Sequence, residues 1–409
     1  MILYLGMVRR GEYETFLRRG LPVGILVDIH TEHRLADVTG FALVERFDFS
    51  LPLPDLIARV REINARHAID CIFNVMEFYV TVASQVASAL GLPNITQAAA
   101  GLCRDKVAMR RRFQERIGQN SCARFQVIDS EAGLLKIAGE WGYPLFLQPA
   151  NVSASMWATR NHDQQKLLGN YLAMVKGVPA YLRHLGQAEG EAAVICAEYL
   201  SGANTSIDCV VGATGQVFTT PIVDVQTGQD VGIDDFHHFS RILPSRCPPD
   251  IQRHLENLAV AGTQALSMSY CAAHVEFIGS KLGEIAARPG GNRPRILELA
   301  YGIDELFAYY QILRGEQPNL GHLHFRSAAI VTPYAPRDGI LRAINHIDEV
   351  PLLPTYLYHE VRAPSGQRVG LSKTGHRTPL YIELQSADPE AVRRDVATIA
   401  SWTDLYVLE

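Results

Sequence analysis

The sequence has no C-x-x-C pair, although it contains 7 cysteines: Cys71, Cys103, Cys122, Cys196, Cys209, Cys247 and Cys271. An odd number of widely spaced cysteines supports neither a disulfide framework nor a zinc knuckle, so reduced thiols in a cytoplasmic setting are expected. Basic charge is not in surplus, with 38 Lys and Arg against 43 Asp and Glu and a formal net charge of -5. Nothing here would neutralise a phosphate backbone, and nucleic acid is not an expected partner. Long apolar runs are missing too. The stretch from Leu258 to Cys271 is interrupted by Gly262, Thr263, Gln264, Ser267 and Ser269. It falls short of the roughly 18 to 20 apolar residues of a membrane span and reads as a buried helix, so no membrane partner is expected. The start, M-I-L-Y-L-G-M-V-R-R, puts apolar residues ahead of basic ones, the reverse of a secretory leader. No G-x-G-x-x-G follows the first apolar run, and G-x-S-x-G and H-E-x-x-H are absent. A dinucleotide fingerprint, a hydrolase nucleophile elbow and a zinc-protease helix are therefore excluded.

What is present is a globular composition over 409 residues, 47% hydrophobic and 20% charged, enough for two or three domains. Residues 1–95 alternate short apolar runs (Ile2 to Leu5, Val23 to Val27, Ala42 to Val44, Ile69 to Val75) with helical spacing at Leu51 to Ala65 and Thr81 to Leu90. This is the pattern of a Rossmann-like parallel sheet covered by helices. Turn chemistry at Gly91-Leu92-Pro93-Asn94 and the segment up to Arg104 suggest a boundary. A helix opens at the N-cap Asp105, carries Met109, Phe113 and Ile117 on one face, and ends at Gly118. Arg110, Arg111, Arg112 and Arg116 read as its solvated face.

From Tyr143 the pattern changes to strands punctuated by Gly202, Gly212 and Gly215: Leu145 to Leu147, Met156 to Thr159, Val194 to Tyr199, Ser206 to Val211 and Val217 to Val223. A helix from Asp250 to Met268 precedes a strand from Ala273. Residues 326–409 read as a small α+β domain, with a helix at Pro389 to Trp402. The fold class is thus mixed, α/β and α+β, divided at 1–95, 96–325 and 326–409.

The chemistry concentrates in H-V-E-F-I-G-S-K-L-G-E-I-A-A-R-P-G-G-N, residues 274–292. Alternation along strands places His274 and Glu276 on one face, and Glu284, Ala286 and Arg288 on one face of the next strand. If the two strands pair through a turn at Gly279 to Gly283, two carboxylates and a guanidinium converge. Such a pair suits Mg²⁺, with Mn²⁺ as the alternative ion, completed by waters and phosphate oxygens. Arg288 would neutralise a phosphoryl group, and Gly290-Gly291 would let the backbone approach it. The competing reading is a surface hairpin with one Glu-Arg pair.

Upstream lie Asp105-Lys106 at a helix start, G-Y-P-L-F-L-Q-P-A from Gly142 to Ala150, and A-E-Y-L-S-G from Ala197 to Gly202. In that order, ending in E-x-x-x-R-P-G-G, these stretches resemble the ATP-grasp superfamily over roughly residues 100–325, and in particular its carboxylate-amine ligases, including bacterial amino-acid (dipeptide) ligases. The resemblance implies an ATP-grasp fold with a lid subdomain at about 145–205, ATP and Mg²⁺ as cofactors, small carboxylate and amine substrates, and a homodimer. By that resemblance Lys106 and position 148 meet the nucleotide phosphates, and Glu198 with Leu200 contacts adenine and ribose. The loop from Asn151 to Ser155, with Ser153 and Ser155, covers the phosphates. Glu276 and Glu284 bind the metal, Arg288 acts at the transferred phosphoryl group, and His274, Gly290, Gly291 and Asn292 are candidate substrate contacts.

The chain departs from the family pattern twice. Gln148 stands where a lysine is usual and offers no charge, and Ala286 stands where many members have asparagine. The implied activity is an ATP-dependent ligase forming an amide or peptide bond through an acyl phosphate. The alternatives are an ATP-grasp carboxylase that activates bicarbonate and a nucleotide-binding protein that has lost turnover. Two weaker candidates remain. His237-His238 is read as part of a polar loop, with a metal pair disfavoured, and Glu77 either as a carboxylate reaching the cleft from the N-terminal domain or, the commoner case, as an exposed carboxylate at a helix start.

Overall fold

The computed structural model describes every residue except 10, 33, 34, 36, 37, 153, 154 and 185–192, together with the side chains of 183 and 184. Strands Ile2–Gly6, Val23–Asp28, Leu43–Phe47 and Cys71–Phe73 form a four-stranded sheet, all parallel, with the first strand between the second and the fourth. Ile2, Leu3, Tyr4 and Leu5 are each no more than 1% exposed, as expected of a parallel strand covered on both faces. Helices Leu53–His67 and Val80–Leu90 cover one face, burying Leu3, Leu5, Leu56, Val60 and Val86 together. The other face packs Tyr4, Phe16 and Phe73 against Leu306, Tyr309 and Tyr310 of a helix far along the chain, Glu305–Leu313. Each such aromatic contributes on the order of 2 to 3 kcal/mol through burial, enough to weld the N-terminal layer to the middle of the molecule.

A nine-stranded sheet forms the centre. From the edge strand Lys281–Ala286 it runs through its hairpin partner Cys271–Ile278, then Asn204–Val211, Val223–Thr227, His238–Leu243, Ser327–Val331, Leu380–Ser386 and Tyr356–Val361, while the ninth strand, Val217–Thr219, pairs with Asn204–Val211 off this path. Neighbouring strands are antiparallel, and the sheet runs unbroken across residue 326. Helix Pro249–Ala265 lies on one face, with Leu255, Leu258 and Ala259 in the same core as Val275 and Ile285.

A small antiparallel sheet, ordered Phe125–Ile128, Val194–Glu198, Leu145–Pro149, Thr159–Asn161, is backed by helices Glu131–Trp141 and Gln164–His184. Period-two alternation sorts its residues. Leu145 and Leu147 face those helices, whereas Ile195 packs with Val107 and Ala150 on the opposite side.

Several segments differ from the expectation. The helix expected to run to Met268 stops at Ala265, and Ser267 and Tyr270 take positive φ (54° and 48°) to turn the chain into the strand at Cys271, so Leu258 to Cys271 is not one helix. Polar Ser267 and Ser269 interrupt the apolar face there. The segment read as a linker before Arg104 is a helix, Gln97–Arg104, capped by Thr96. The turn expected over Gly279 to Gly283 is shorter, since the strand resumes at Lys281 and Gly279 alone takes the left-handed conformation (φ 58°). The polar loop around His238 is a strand, because its polar side chains find partners within the sheet; Ser240 Oγ, for example, donates to Gln226 at 2.7 Å. Val217 to Val223 is two strands rather than one, and Met156 to Thr159 gives way to Thr159–Asn161. All 7 cysteines are free. Among the described residues no helix is long and apolar enough to cross a membrane.

Candidate active site

The hairpin register places Glu276 directly opposite Glu284. The two carboxylates are 37% and 26% exposed, so both are open to solvent on that face. Lys106 arrives from the helix Lys106–Arg116, whose start is held by Asp105 accepting from Val107 N at 2.8 Å and Ala108 N at 3.1 Å. Its Nζ lies 3.1 Å from Glu284 Oε1 and donates to Val152 O at 2.9 Å, where the 151–155 loop begins. One cation thus bridges the central sheet and that loop.

Behind Glu276 lies a buried polar chain. His274 Nδ1 is 2.5 Å from Asp208 Oδ1, and its Nε2 is 3.0 Å from Glu276 Oε1. Burial opposes a charged imidazole, but Asp208 and Glu276 prevail and raise its pKa. Burial likewise opposes charge on Glu276, yet the hydrogen bond to His274 and the nearby His238 and Arg293 hold it well below the usual carboxylate range. The Glu276 carboxylate is therefore ionised throughout the neutral range. Gly290 N–H donates to Asp208 Oδ2 at 2.5 Å, and a Cβ at Gly290 would collide with Arg293 and His274. Gly291 has Arg9 as its nearest side-chain neighbour, at 3.6 Å from where a Cβ would stand. Asn292 takes φ 63° as the residue preceding helix Arg293–Tyr301.

Arg288 does not stand alone. Its Nε donates to Glu77 Oε2 at 3.0 Å, and Arg104 Nη1 donates to the other oxygen at 2.8 Å. The expectation of an exposed Glu77 is overturned, because the residue is 5% exposed and sits between two guanidinium groups. The solvated-face reading is overturned at Arg110, which is 7% exposed with its guanidinium 5.6 Å from the Phe125 ring centroid. The small sheet covers that part of the helix, whereas Arg111 and Arg116 are exposed.

Burial pushes the Glu77 carboxyl up, but Arg288 and Arg104 outweigh it and the net shift is downward. A depressed carboxylate stabilises the fold above its unfolded pKa, near 4.5, and that stability is lost as pH falls through the folded value. Glu77→Gln, which leaves two arginines without their anion, should cost on the order of 3 kcal/mol at pH 7. It should also flatten the acid limb of stability below about pH 4.5 in urea titrations. An unchanged acid limb would show that the ion triad does not form.

Of the remaining candidates, Gln148 projects from the same side of the small sheet as Phe146, and its amide nitrogen is buried without a partner. Glu198 accepts from Arg124 N at 3.0 Å and Lys281 Nζ at 2.7 Å, which joins the small sheet to the hairpin. Leu200 follows that strand, half-buried. Ser155 takes φ 54°, and Ser153 lies outside the described residues. The adjacent histidines do diverge. His237 packs on Tyr334 with ring centroids 4.4 Å apart, while His238 Nε2 points toward Glu276 at 3.7 Å.

No family model matches the chain. The uncharacterized protein y4rH of Sinorhizobium fredii is 30% identical over 96 residues, and the match spans only 20% of that protein's length. Solved structures match over the whole chain. An L-amino acid ligase from Bacillus licheniformis has a TM-score of 0.78 at 16% identity, covering 100% of this chain and 98% of that one. An N5-carboxyaminoimidazole ribonucleotide synthetase from Thermotoga maritima has a TM-score of 0.68 at 14% identity, with coverage of 100% and 99%. A phosphoribosylglycinamide synthetase from Anaerococcus prevotii has 0.67 at 14%, with 100% and 98%.

The chain has the ATP-grasp fold.

Within this fold, two facing carboxylates suit a hard divalent cation, which prefers oxygen ligands and retains several waters. Among the described residues no group of three or more His, Cys, Asp and Glu side chains is gathered as a metal cage. The donor set therefore fits an ion whose remaining positions are filled by water and phosphate, not one held by protein alone. Sequence reasoning missed Asp208, Arg104 and Arg293. Alternation did offer one signal, since Asp208 stands directly opposite His274 across the sheet.

Proposed function

We propose that this protein is an ATP-dependent carboxylate-amine ligase that joins amino acids or amino-acid-like substrates. The observation that carries the reading is the convergence of Glu276, Glu284, Lys106 and Arg288 at one edge of the central sheet. Two anions for a divalent ion and two cations for phosphate are what phosphoryl transfer to a carboxylate requires, because the protein must position and neutralise rather than react. A bound Mg²⁺ would screen the β- and γ-phosphates, with Glu276 and Glu284 as its protein ligands.

Lys106 is the group that compensates negative charge at the loop start, and Arg288, held by Glu77, is pre-oriented for the transferred phosphoryl group. Glu198, Leu200, Gln148 and the 151–155 loop are proposed to hold the nucleotide, and His274, Gly290, Gly291 and Asn292 to border the substrate. Activation precedes bond formation. The substrate carboxylate oxygen attacks the γ-phosphorus and ADP leaves. The amine then attacks the acyl carbon, phosphate departs with the former carboxylate oxygen, and the amine proton is released.

The deciding experiment is a phosphate-release screen over pairs of amino acids, with mass detection of condensed product. Phosphate release that requires both partners, with a product lighter than their sum by one water, is the expected outcome. Turnover that requires bicarbonate instead would make the protein a carboxylase, and ATP binding without turnover on any pair would favour a nucleotide-binding protein.

A further inference from the structure

Arg110 is a cation without a stated purpose. It lies one helical turn after Lys106, so both side chains leave the same face of their helix. It is 7% exposed, and among the described residues Nη1 has no hydrogen-bond partner. Burial lowers its pKa, while the Cys122 thiol and the Glu284 carboxylate favour its charged form. A buried guanidinium with an unpaired N–H group costs stability that its contact with Phe125 offsets only in part, so a structure that keeps one has a use for its charge.

Its surroundings indicate that use. Phe125, beneath the guanidinium, heads a row across the small sheet in which Phe125 is opposite Ala197, Ala197 opposite Phe146, and Phe146 opposite Arg160. Gln148 stands in the next row on the same face, opposite Ile195. That face looks toward the start of the Lys106 helix, since Ile195 packs with Val107 and Ala150. The only side chain of that inner row with hydrogen-bonding capacity is thus an uncharged amide; the adjoining row has Arg110 at one end and, at the other, Arg160, whose guanidinium lies 4.1 Å from the Tyr199 ring centroid.

We infer that Arg110 is a phosphate-binding residue of the nucleotide site and supplies, from the helix, the second positive charge that Gln148 does not bring to the sheet. The inference rests on the nucleotide reading above and adds to it a residue and a ligand group. Guanidinium is suited to the task, because its planar fork can donate two parallel N–H bonds to phosphate oxygens and stacks on an aromatic face.

The test is calorimetry on the full chain with the Mg²⁺ complex of AMP-PNP and, separately, with adenosine, beside the melting temperature of the unliganded protein. Arg110→Met, which keeps the stem and removes the charge, should weaken AMP-PNP binding by about 10-fold or more and leave adenosine binding as in the wild type. It should melt no lower than the wild type, because an unpaired buried charge has gone; a structural role predicts the opposite. Adding Gln148→Lys to Arg110→Met should restore much of the lost affinity. Should the methionine variant fail to fold, Arg110→Gln, with a polar but neutral end, carries the same expectation for AMP-PNP. Wild-type affinity for AMP-PNP in a folded variant overturns the assignment, as does an equal loss for adenosine. A wild-type protein that binds neither probe overturns the nucleotide reading itself, a result distinguishable from either.

Discussion

Glu276→Gln and Glu284→Gln should each lower Mg²⁺-dependent ATP turnover by roughly 100- to 1,000-fold while the chain remains folded. Each exchange keeps the side-chain volume and removes one negative charge from a pair that stands face to face across the hairpin. The consequences differ in detail. Glu284→Gln also frees Lys106, whose Nζ is 3.1 Å from that carboxylate, so its Mg²⁺ requirement should rise more than its unliganded stability falls. Glu276→Gln leaves an acceptor oxygen for His274 Nε2 but removes its negative charge, so Asp208 becomes the carboxylate that favours the imidazolium. A phosphate-release assay titrated with Mg²⁺, alongside circular dichroism and melting, checks both. Either variant turning over at the wild-type rate would remove the paired carboxylates from the mechanism.

Arg288→Ala is expected to reduce kcat by roughly 1,000-fold, the scale of losing a guanidinium that stabilises a transferring phosphoryl group. ATP affinity should change far less, because the interaction strengthens as charge develops. The same variant strands Glu77 with Arg104 as its remaining partner, so Arg288→Lys serves as a control that restores charge without the bidentate fork. The chemistry has its own signature. With an ¹⁸O-labelled carboxylate substrate, label should appear in inorganic phosphate whenever the amine partner permits turnover, since the acyl C–O bond breaks. Product without labelled phosphate would exclude the acyl-phosphate route.

The readings that held were local ones. The N-cap at Asp105 depends on residues two and three positions away, and such a cap is legible because the hydrogen bond closes within one turn. The two glutamates could be placed on one face because side chains alternate along any strand, and the short Gly279 turn made antiparallel pairing the economical arrangement. Element bounds shifted in several places, and the side-chain readings that failed were about burial. Arg110 looked solvated because its helix has three further arginines, and nothing within that helix says that Phe125 will lie over one of them.

While a role for Lys106 came only from the resemblance to ATP-grasp enzymes, composition, strand alternation and capping pointed to a mixed α/β chain and set the two glutamates and Arg288 on one hairpin. They could not reveal that Glu77, 211 residues before Arg288, would hold that arginine. Nor could they show that Asp208, 66 residues before His274, would favour the charged imidazole behind the acidic pair. The reason is physical. Backbone geometry is set by neighbours in the chain, but the state of an ionisable group is set by desolvation and by whichever charges come within a few ångströms, and here those charges arrive from segments far apart in the sequence.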